Sequence, residues 1–262
     1  MTVLAILQAR MSSTRLPGKV LLPLAGAPML QRQIERIQRA KSIVSLLVAT
    51  SSDVGDDDIE LLCQRIGVGC YRGSLNDVLD RFYQAASRMA PDHVVRLTGD
   101  CPLADPEVID DVVTLHCRDG FDYTSNCHPP TFPDGLDVEV VRFSALAAAW
   151  AEAGLPSERE HVMPFIWSRK DRFRVGNHFN EAGDLSVLRW TVDEPEDYAL
   201  VSRVYDALFP GNAAFGTPEV LQLLKRRPDL LNLNSRYVRN EGLAKSLMQD
   251  RAFQSVQGIS GE

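Results

Sequence analysis

No run of apolar residues in this 262-residue chain approaches the roughly 20 that a helix needs to cross a bilayer, so no membrane span is expected. Positive charge is also scarce. Lysine and arginine number 28 against 35 acids, for a net charge of −7, which argues against non-specific nucleic-acid binding. The five cysteines (Cys63, Cys70, Cys101, Cys117, Cys127) are odd in number, scattered and without a CxxC pair. That pattern excludes a disulfide framework and points to a reducing, cytoplasmic setting. "HC" at 116–117 and "CH" at 127–128 lack the tight ligand pairs of a zinc site and read as buried thiols and ordinary histidines. The opening "MTVLAILQARM" has no basic leader or small-residue cleavage site, so no signal peptide is read. Internal repeats and low-complexity tracts are absent as well.

What is present reads as a sheet with helical crossovers. A hydrophobic share of 45% suits one globular domain of generous size, or one with a small appendage. "TVLAILQ" is a short continuous apolar run, as expected of a strand buried on both faces. Leu30, Ile34 and Ile37 then come at helical spacing. "SIVSLLVATS", "VGCYRG" and "HVVRLTGD" read as further strands, separated by helices in "DDDIELLCQRI" and in 74–89, the latter with Ser74 as candidate N-cap. "DPEVIDDVVTLHC" is a helix capped by Asp105 with Pro106 in its first turn. Alternating strands and helices imply a largely parallel sheet covered on both faces.

Beyond residue 120 the pattern changes. An irregular or antiparallel excursion runs to about 160 through the turn "PDG", with helices expected at 143–153 and 158–167 and the last strands in "RFRVGNHF" and "LSVLRWTVD". "EPEDYALVSRVYDALF" is a strongly periodic helix. Residues 1–209 are taken as the main domain and 210–262 as a helical extension, broken at Pro228 and frayed over its last dozen residues.

Three constellations carry candidate chemistry. Arg10, Arg15 and Lys19 crowd into one loop after the first strand, with Ser12, Ser13, Thr14 and Gly18 between them. Guanidinium forks and a lysine ammonium, placed where α/β sheets bind ligands, suit a polyphosphate. The P-loop spacing fails because Val20 comes after Lys19, and GxGxxG is missing, so Walker-type and nicotinamide readings fall. Asp100 ends "RLTGD" and Asp193 ends "LRWTVD" in like positions; two such acids plus phosphate oxygens would hold magnesium, although each could equally be a turn former or cap. Asp137 and Glu139 project from one face of a strand, with Arg159 and His161 beside a short helix, as candidates for a polar substrate pocket or simply a solvated edge.

The stretches "LQARMSSTRLPGKVLLPLAGAPML", "YRGSLNDVLDRFYQAA", "RLTGDCPLADPEVID", "PDGLDVEVV", "REHVMPFI" and "LRWTVDEPEDYALV" together resemble the cytidylyltransferase (CMP-sugar synthetase) family, nearest to its spore-coat polysaccharide branch. The resemblance covers residues 3 to 208 in consistent order, and "RNEGLAKSL" is similar to the segment that comes after the catalytic domain in that branch. It implies a three-layer α/β/α, Rossmann-like nucleotide-diphospho-sugar transferase fold. It also implies a magnesium-dependent reaction of CTP with a sugar, acidic ones included, giving CMP-sugar and pyrophosphate in a homodimer. Carried over by position, Gln8 and Ala9 would meet the base, and Arg10, Ser13, Arg15 and Lys19 the triphosphate. Arg81 and Thr98 would lie near the nucleoside, Asp100 and Asp193 would bind the metal, and Asp137, Glu139, Arg159 and His161 would face the sugar. Arg10, Lys19 and Asp100 are the residues expected to carry catalysis. Two positions depart from the pattern: Thr191 stands where relatives place the first acid of a late D-x-D pair, and Thr98 where they often have glutamine. A metal-dependent glycosyltransferase and a non-catalytic nucleotide-binding assembly protein stay open as alternatives.

Overall fold

Val3, Ala5 and Leu7 enter one hydrophobic core while Leu4 and Ile6 enter another, so the first strand is buried on both faces. The computed structural model describes residues 1–239 and 241–257. That strand, β1 (Val3–Gln8), leads into a small hairpin of β2 (Pro23–Leu24) and β3 (Ala27–Pro28), then α1 (Met29–Ile37), β4 (Ser45–Ser51), α2 (Asp57–Ile66) and β5 (Gly69–Gly73). Next come α3 (Val78–Ser87), β6 (His93–Thr98), α4 (Pro106–Asp119), β7 (Tyr123–Ser125) and β8 (Glu139–Arg142). The remaining elements are α5 (Phe143–Glu152), α6 (Pro156–His161), α7 (Pro164–Trp167), β9 (Val175–Asn177), α8 (Pro195–Leu208), α9 (Thr217–Arg226) and α10 (Glu241–Gln257).

The main sheet has the order β5-β4-β1-β6-β8-β7-β9. Its first four strands are parallel, β8 runs against both β6 and β7, and β9 is parallel to β7. Helices α1, α2, α4 and α8 cover one face and α3, α5 and α7 the other, giving the three layers implied by the alternation of elements. Chain order moves outward from β1 through β4 to β5, then jumps back to β6 on the other side of β1. The carboxyl ends of β1 and β6, where Gln8 pairs with Thr98, therefore form the switch point at which such sheets bind ligands. Glycine is needed at position 99 because a Cβ on Gly99 would lie 2.9 Å from the Gln8 carbonyl oxygen and 3.0 Å from Ala9 Cβ.

Several local expectations are corrected. Asp77, not Ser74, caps α3, taking the Asp80 amide at 2.9 Å; the Ser74 hydroxyl accepts from Asp77 N at 3.0 Å, so 74–77 is a turn and the helix starts later. The helix expected at 158–167 breaks into α6 and α7 where Val162 takes a φ of 72° ahead of Pro164, which has no amide to continue the ladder. "LSVLRWTVD" is not a strand. Its amides tie two loops instead, with Trp190 (2.6 Å) and Thr191 (2.9 Å) both on the Asp134 carbonyl and Val192 (2.8 Å) on that of Asp100. Gly135 permits this approach: its φ is 106° and a Cβ would lie 2.5 Å from Thr191 N. The frayed end expected over 251–262 is helical as far as Gln257, and 258–262 lie outside the described residues.

Past residue 210 the chain returns to the body. Phe215 packs edge-on against Tyr205 at 5.2 Å, and its carbonyl accepts from the buried Arg36 guanidinium at 2.9 Å. Helix α10 lies along α6, where Asp250 accepts from the Ser157 amide at 2.9 Å and hydroxyl at 2.5 Å. This brings the C-terminal segment over the rim where the site lies.

Candidate active site

The loop after β1 is held from below by a buried carboxylate. Asp56 accepts from the Met11 amide at 2.7 Å, the Thr50 hydroxyl at 3.0 Å and the Ser51 amide and hydroxyl at 3.0 and 2.5 Å. Burial alone would raise its pKa, but these donors outweigh it and hold the carboxyl below the usual range. The loop then closes on itself through Ser13 N and Gly18 N, both on the Met11 carbonyl. Asp56→Ala leaves four donors without their shared charged acceptor. We expect a loss of about 3 kcal/mol in urea unfolding, from hydrogen bonds to a charged group.

From that loop Lys19 turns inward until 7% of it remains exposed. Its Nζ donates to Asp193 Oδ1 at 2.7 Å, to Asp100 Oδ2 at 3.1 Å and to the Val192 carbonyl at 2.8 Å. Burial works against the ammonium, yet the two carboxylates overcome it and raise the Lys19 pKa. Burial likewise opposes the Asp100 carboxylate, but Lys19 and the Thr98 hydroxyl bring its pKa to about 2. Arg15 reaches the far oxygen of Asp193 at 3.0 Å and Glu194 at 3.3 Å. Asp100 is thus ionised at neutral pH and Asp193 is held between Lys19 and Arg15, and each keeps partial exposure to the cleft, 27% for Asp100 and 22% for Asp193. Hard carboxylate oxygens facing the cleft are a donor set that fits magnesium.

Two joined hollows meet at this cluster. The larger, of about 560 Å³, has Gln8, Ala9, Arg10, Ser13, Arg15, Lys19, Arg81, Thr98 and Asp100 in its wall, along with Arg159 and His161. Arg81 is buried, donates to the Ser74 carbonyl at 2.6 Å and leaves its Nε without a hydrogen-bond partner among the described residues. Burial and nearby Arg10 lower its pKa to about 10. The smaller hollow, of about 250 Å³, is lined by Asp134, Asp137, Glu139, His128, Trp167 and Arg189; Arg15, Arg96, Thr98, Asp100, His161 and Asp193 border both. Gln8 fixes one part of this border by accepting from Arg96 Nε at 3.2 Å. The two hollows therefore meet over Asp100 and Asp193, with Lys19 on the side of the larger one.

The family model described as Cytidylyltransferase matches residues 4–210, about four-fifths of the chain. This chain belongs to the cytidylyltransferase family. It is 35% identical over 235 residues to the spore coat polysaccharide biosynthesis protein SpsF of Bacillus subtilis, covering 87% of this chain and 95% of that one. A solved cytidylyltransferase from Leptospira borgpetersenii superposes with a TM-score of 0.85 at 33% identity, over 91% of this chain and all of the other. A CMP-2-keto-3-deoxy-manno-octonic acid synthetase solved with CTP shares the fold, with a TM-score of 0.59 at 18% identity over 80% of this chain and 99% of its own. The activity is transfer of a cytidylyl group, and the glycosyltransferase and scaffold readings give way to it.

Within this cytidylyltransferase the residues expected from the sequence separate by place. Arg159 stands in the larger hollow, apart from Asp137 and Glu139, and is clamped by Asp77 at 3.0 and 3.1 Å and by the Trp150 carbonyl at 2.9 Å. His161 sits at the border with its Nε2 on Ser246 Oγ of α10 at 2.9 Å, and burial first, then Arg96, keep its pKa low. Glu139 is taken by Arg96, directly across from it on β6, and by the Tyr123 hydroxyl at 2.6 Å. Asp137 pairs with Arg239 from the C-terminal segment. Of the histidines and cysteines weighed for zinc, His116 is spent on His93 and Thr124, both at 3.0 Å, whereas Cys127 and His128 approach Glu139 closely enough for a shared ion.

Arg96, Asp134, Arg189 and Arg239 do not stand out in the sequence. The alternation of "HVVRLT" could have flagged Arg96, a charge within an otherwise apolar strand. No local pattern signals Asp134 with Arg189, which lie 55 residues apart and meet at 3.2 Å.

Proposed function

We propose that this cytidylyltransferase moves CMP from CTP to the hydroxyl of a sugar and releases pyrophosphate, in the biosynthesis of a surface polysaccharide. The observation that carries the proposal is the Lys19–Asp100–Asp193 cluster standing where the nucleotide-sized and sugar-sized hollows join. Likeness to SpsF across nearly the whole chain supports the polysaccharide setting.

In this reading Gln8 and Ala9 meet the cytosine, and Arg81, whose Nε has no hydrogen-bond partner among the described residues, meets the nucleotide from below. Arg10, Ser13, Arg15 and Lys19 hold the phosphates through guanidinium forks, a hydroxyl and an ammonium. The sugar hydroxyl attacks the α-phosphorus from the smaller hollow, the bond to the β-phosphate oxygen breaks, and pyrophosphate leaves on the loop side. The hydroxyl proton passes to a carboxylate of the smaller hollow, where burial and Asp137 raise Asp134 to a pKa of about 7, near what a base needs at neutral pH. Catalysis is otherwise positioning and neutralisation of charge moving onto the leaving group. Asp100 and Asp193 would hold magnesium, which when bound supplies further neutralisation at the phosphate oxygens. Cytoplasmic location and a homodimer belong to the same proposal; among the described residues no helix is long and apolar enough to cross a membrane.

The test is pyrophosphate release from each of the four nucleoside triphosphates with a panel of sugars, with magnesium and after its removal by EDTA. Release that needs CTP, a sugar and magnesium together is expected. Release that ignores the sugar, or persists in EDTA, would reject the acceptor or the metal part respectively.

A further inference from the structure

Two residues that the transfer reading leaves unused, Cys127 and His128, stand in the wall of the smaller hollow beside Glu139. They come after β7 in a short turn closed by an antiparallel bridge between Cys127 and Pro130. Asn177 on β9 pins that turn, accepting from the His128 amide at 3.2 Å and donating to the Pro129 carbonyl at 3.0 Å. Asn126 ties it to the approach to β8, accepting from the Val138 amide at 2.8 Å and donating to the Leu136 carbonyl at 2.7 Å. A thiol, an imidazole and a carboxylate thus come from two adjoining segments whose spacing is fixed by side-chain amides.

The donor atoms of Cys127, His128 and Glu139 all lie within 4.8 Å of one another, with His128 Nε2 at 4.0 Å from Glu139 Oε1. Bonds of about 2.0–2.3 Å to one ion need each atom to move less than about 1 Å toward a common centre. Glu139 is already aimed. Tyr123 donates to its Oε1 at 2.6 Å and Arg96 to its Oε2, the outer-shell support that ligating carboxylates carry. The His128 ring is braced by Trp167, 5.3 Å away. Three protein ligands leave a fourth tetrahedral position open, and here it faces a hollow of ligand size. The chemistry also differs from that of Asp100 and Asp193. Hard oxygens suit magnesium, whereas a thiolate with an imidazole favours borderline ions such as zinc.

We propose that Cys127, His128 and Glu139 form a second metal site, for a zinc-type divalent ion, with its open position turned to the smaller hollow. On binding, the Cys127 S–H bond breaks, its proton leaves to solvent and a sulfur lone pair passes to the metal, with nothing oxidised or reduced. The site goes beyond the transfer reading and does not depend on it. Local spacing hides it, because the pairing of β7 with β8 is what brings Glu139 to the other two ligands.

Cobalt(II) is the probe, because a thiolate bound to it gives an intense charge-transfer band in the near ultraviolet. The full chain, stripped with EDTA and returned to excess magnesium, is titrated with cobalt and then with zinc. One cobalt per chain is expected, with a thiolate band that magnesium leaves in place and one equivalent of zinc removes. C127S should abolish the band, and H128A, on the partly exposed rim, should weaken cobalt binding at least about tenfold. No band, a band that excess magnesium removes, or a band that persists in C127S overturns the proposal. If C127S does not fold, H128A decides, and an unchanged cobalt affinity overturns the site. Turnover plays no part in this readout, so failure of the metal site and failure of the transfer reading are told apart.

Discussion

Lys19→Ala is expected to lower kcat/KM for pyrophosphate release on the order of 100-fold, about 2.7 kcal/mol of lost transition-state stabilisation. The magnitude comes from the groups that Lys19 touches. Its ammonium is the counter-ion shared by Asp100 and Asp193, and alanine leaves those two carboxylates facing each other, with Arg15 and Arg189 on the second of them. The change therefore removes one positive charge from the floor of the cleft and exposes leaving phosphates to uncompensated negative charge. Removing one partner of a buried ionic cluster also destabilises, here by about 3 kcal/mol. Acid titration gives an independent readout. In the native protein the Asp100 pKa is held at about 2, below its unfolded value, so its contribution is present above about pH 4 and is lost as pH falls toward 2. Without Lys19 the folded pKa moves up toward the unfolded one, and that acid limb of the stability curve flattens. Wild-type turnover in the variant would take Lys19 out of the mechanism, and an unchanged acid limb would take it out of the Asp100 environment.

The residues legible in the sequence are those placed by the ends of strands. β1 and β6 announce themselves as apolar runs, and a residue just past the carboxyl end of a parallel strand lies on the ligand rim. That rule alone brings Arg10, Lys19 and Asp100 together, although Arg10 and Asp100 stand about 90 residues apart in the chain. The Asp105 cap is legible too, because Asp105 with Pro106 is a local pattern whose physics is complete within three residues, unlike the α3 cap, which falls on Asp77 instead of Ser74; the Asp105 carboxylate accepts from Glu107 N at 3.0 Å.

The illegible part depends on pairs with no local signature. Arg159 is expected to face the sugar from its place beside a short helix and from the resemblance carried by "REHVMPFI". In the folded chain Asp77, 82 residues earlier, takes its guanidinium. "LSVLRWTVD" has the apolar content of a strand, but its amides meet single carbonyls from two loops, and periodicity cannot report which partner an amide will find. The part played by the C-terminal segment is hidden for the same reason. Val238 and Gly242 line the smaller hollow and Gln249 the larger, although nothing near them in sequence resembles a binding motif.

The largest expected loss of stability belongs to Arg189, because it joins that segment to the rim. The guanidinium is 7% exposed, meets Asp197, Asp134 and Asp193, and donates to the Val238 carbonyl at 3.4 Å; Asn234 closes the group by donating to Asp197 at 2.8 Å and to the Arg189 carbonyl at 2.9 Å. Burial would lower the Arg189 pKa, but the acids around it, Asp197 first, raise it further above its usual value. Arg189→Met keeps much of the stem's volume and removes the charge, leaving Asp197, which is fully buried, without its ion-pair partner. A cost of about 3–5 kcal/mol is expected, which for a chain of this size lowers Tm by roughly 10 °C. Asp193 loses a cation in the same step, so kcat falls as well. Adding Asp197→Leu to Arg189→Met separates the causes. It removes the stranded carboxylate, so Tm should recover by several degrees, as replacement of buried ion pairs by apolar groups often allows. Asp193 still lacks Arg189, so kcat should stay low. Recovery of both together would mean that the variant's lost activity reflects unfolding alone; recovery of neither would mean that Asp197 is not the group Arg189 compensates.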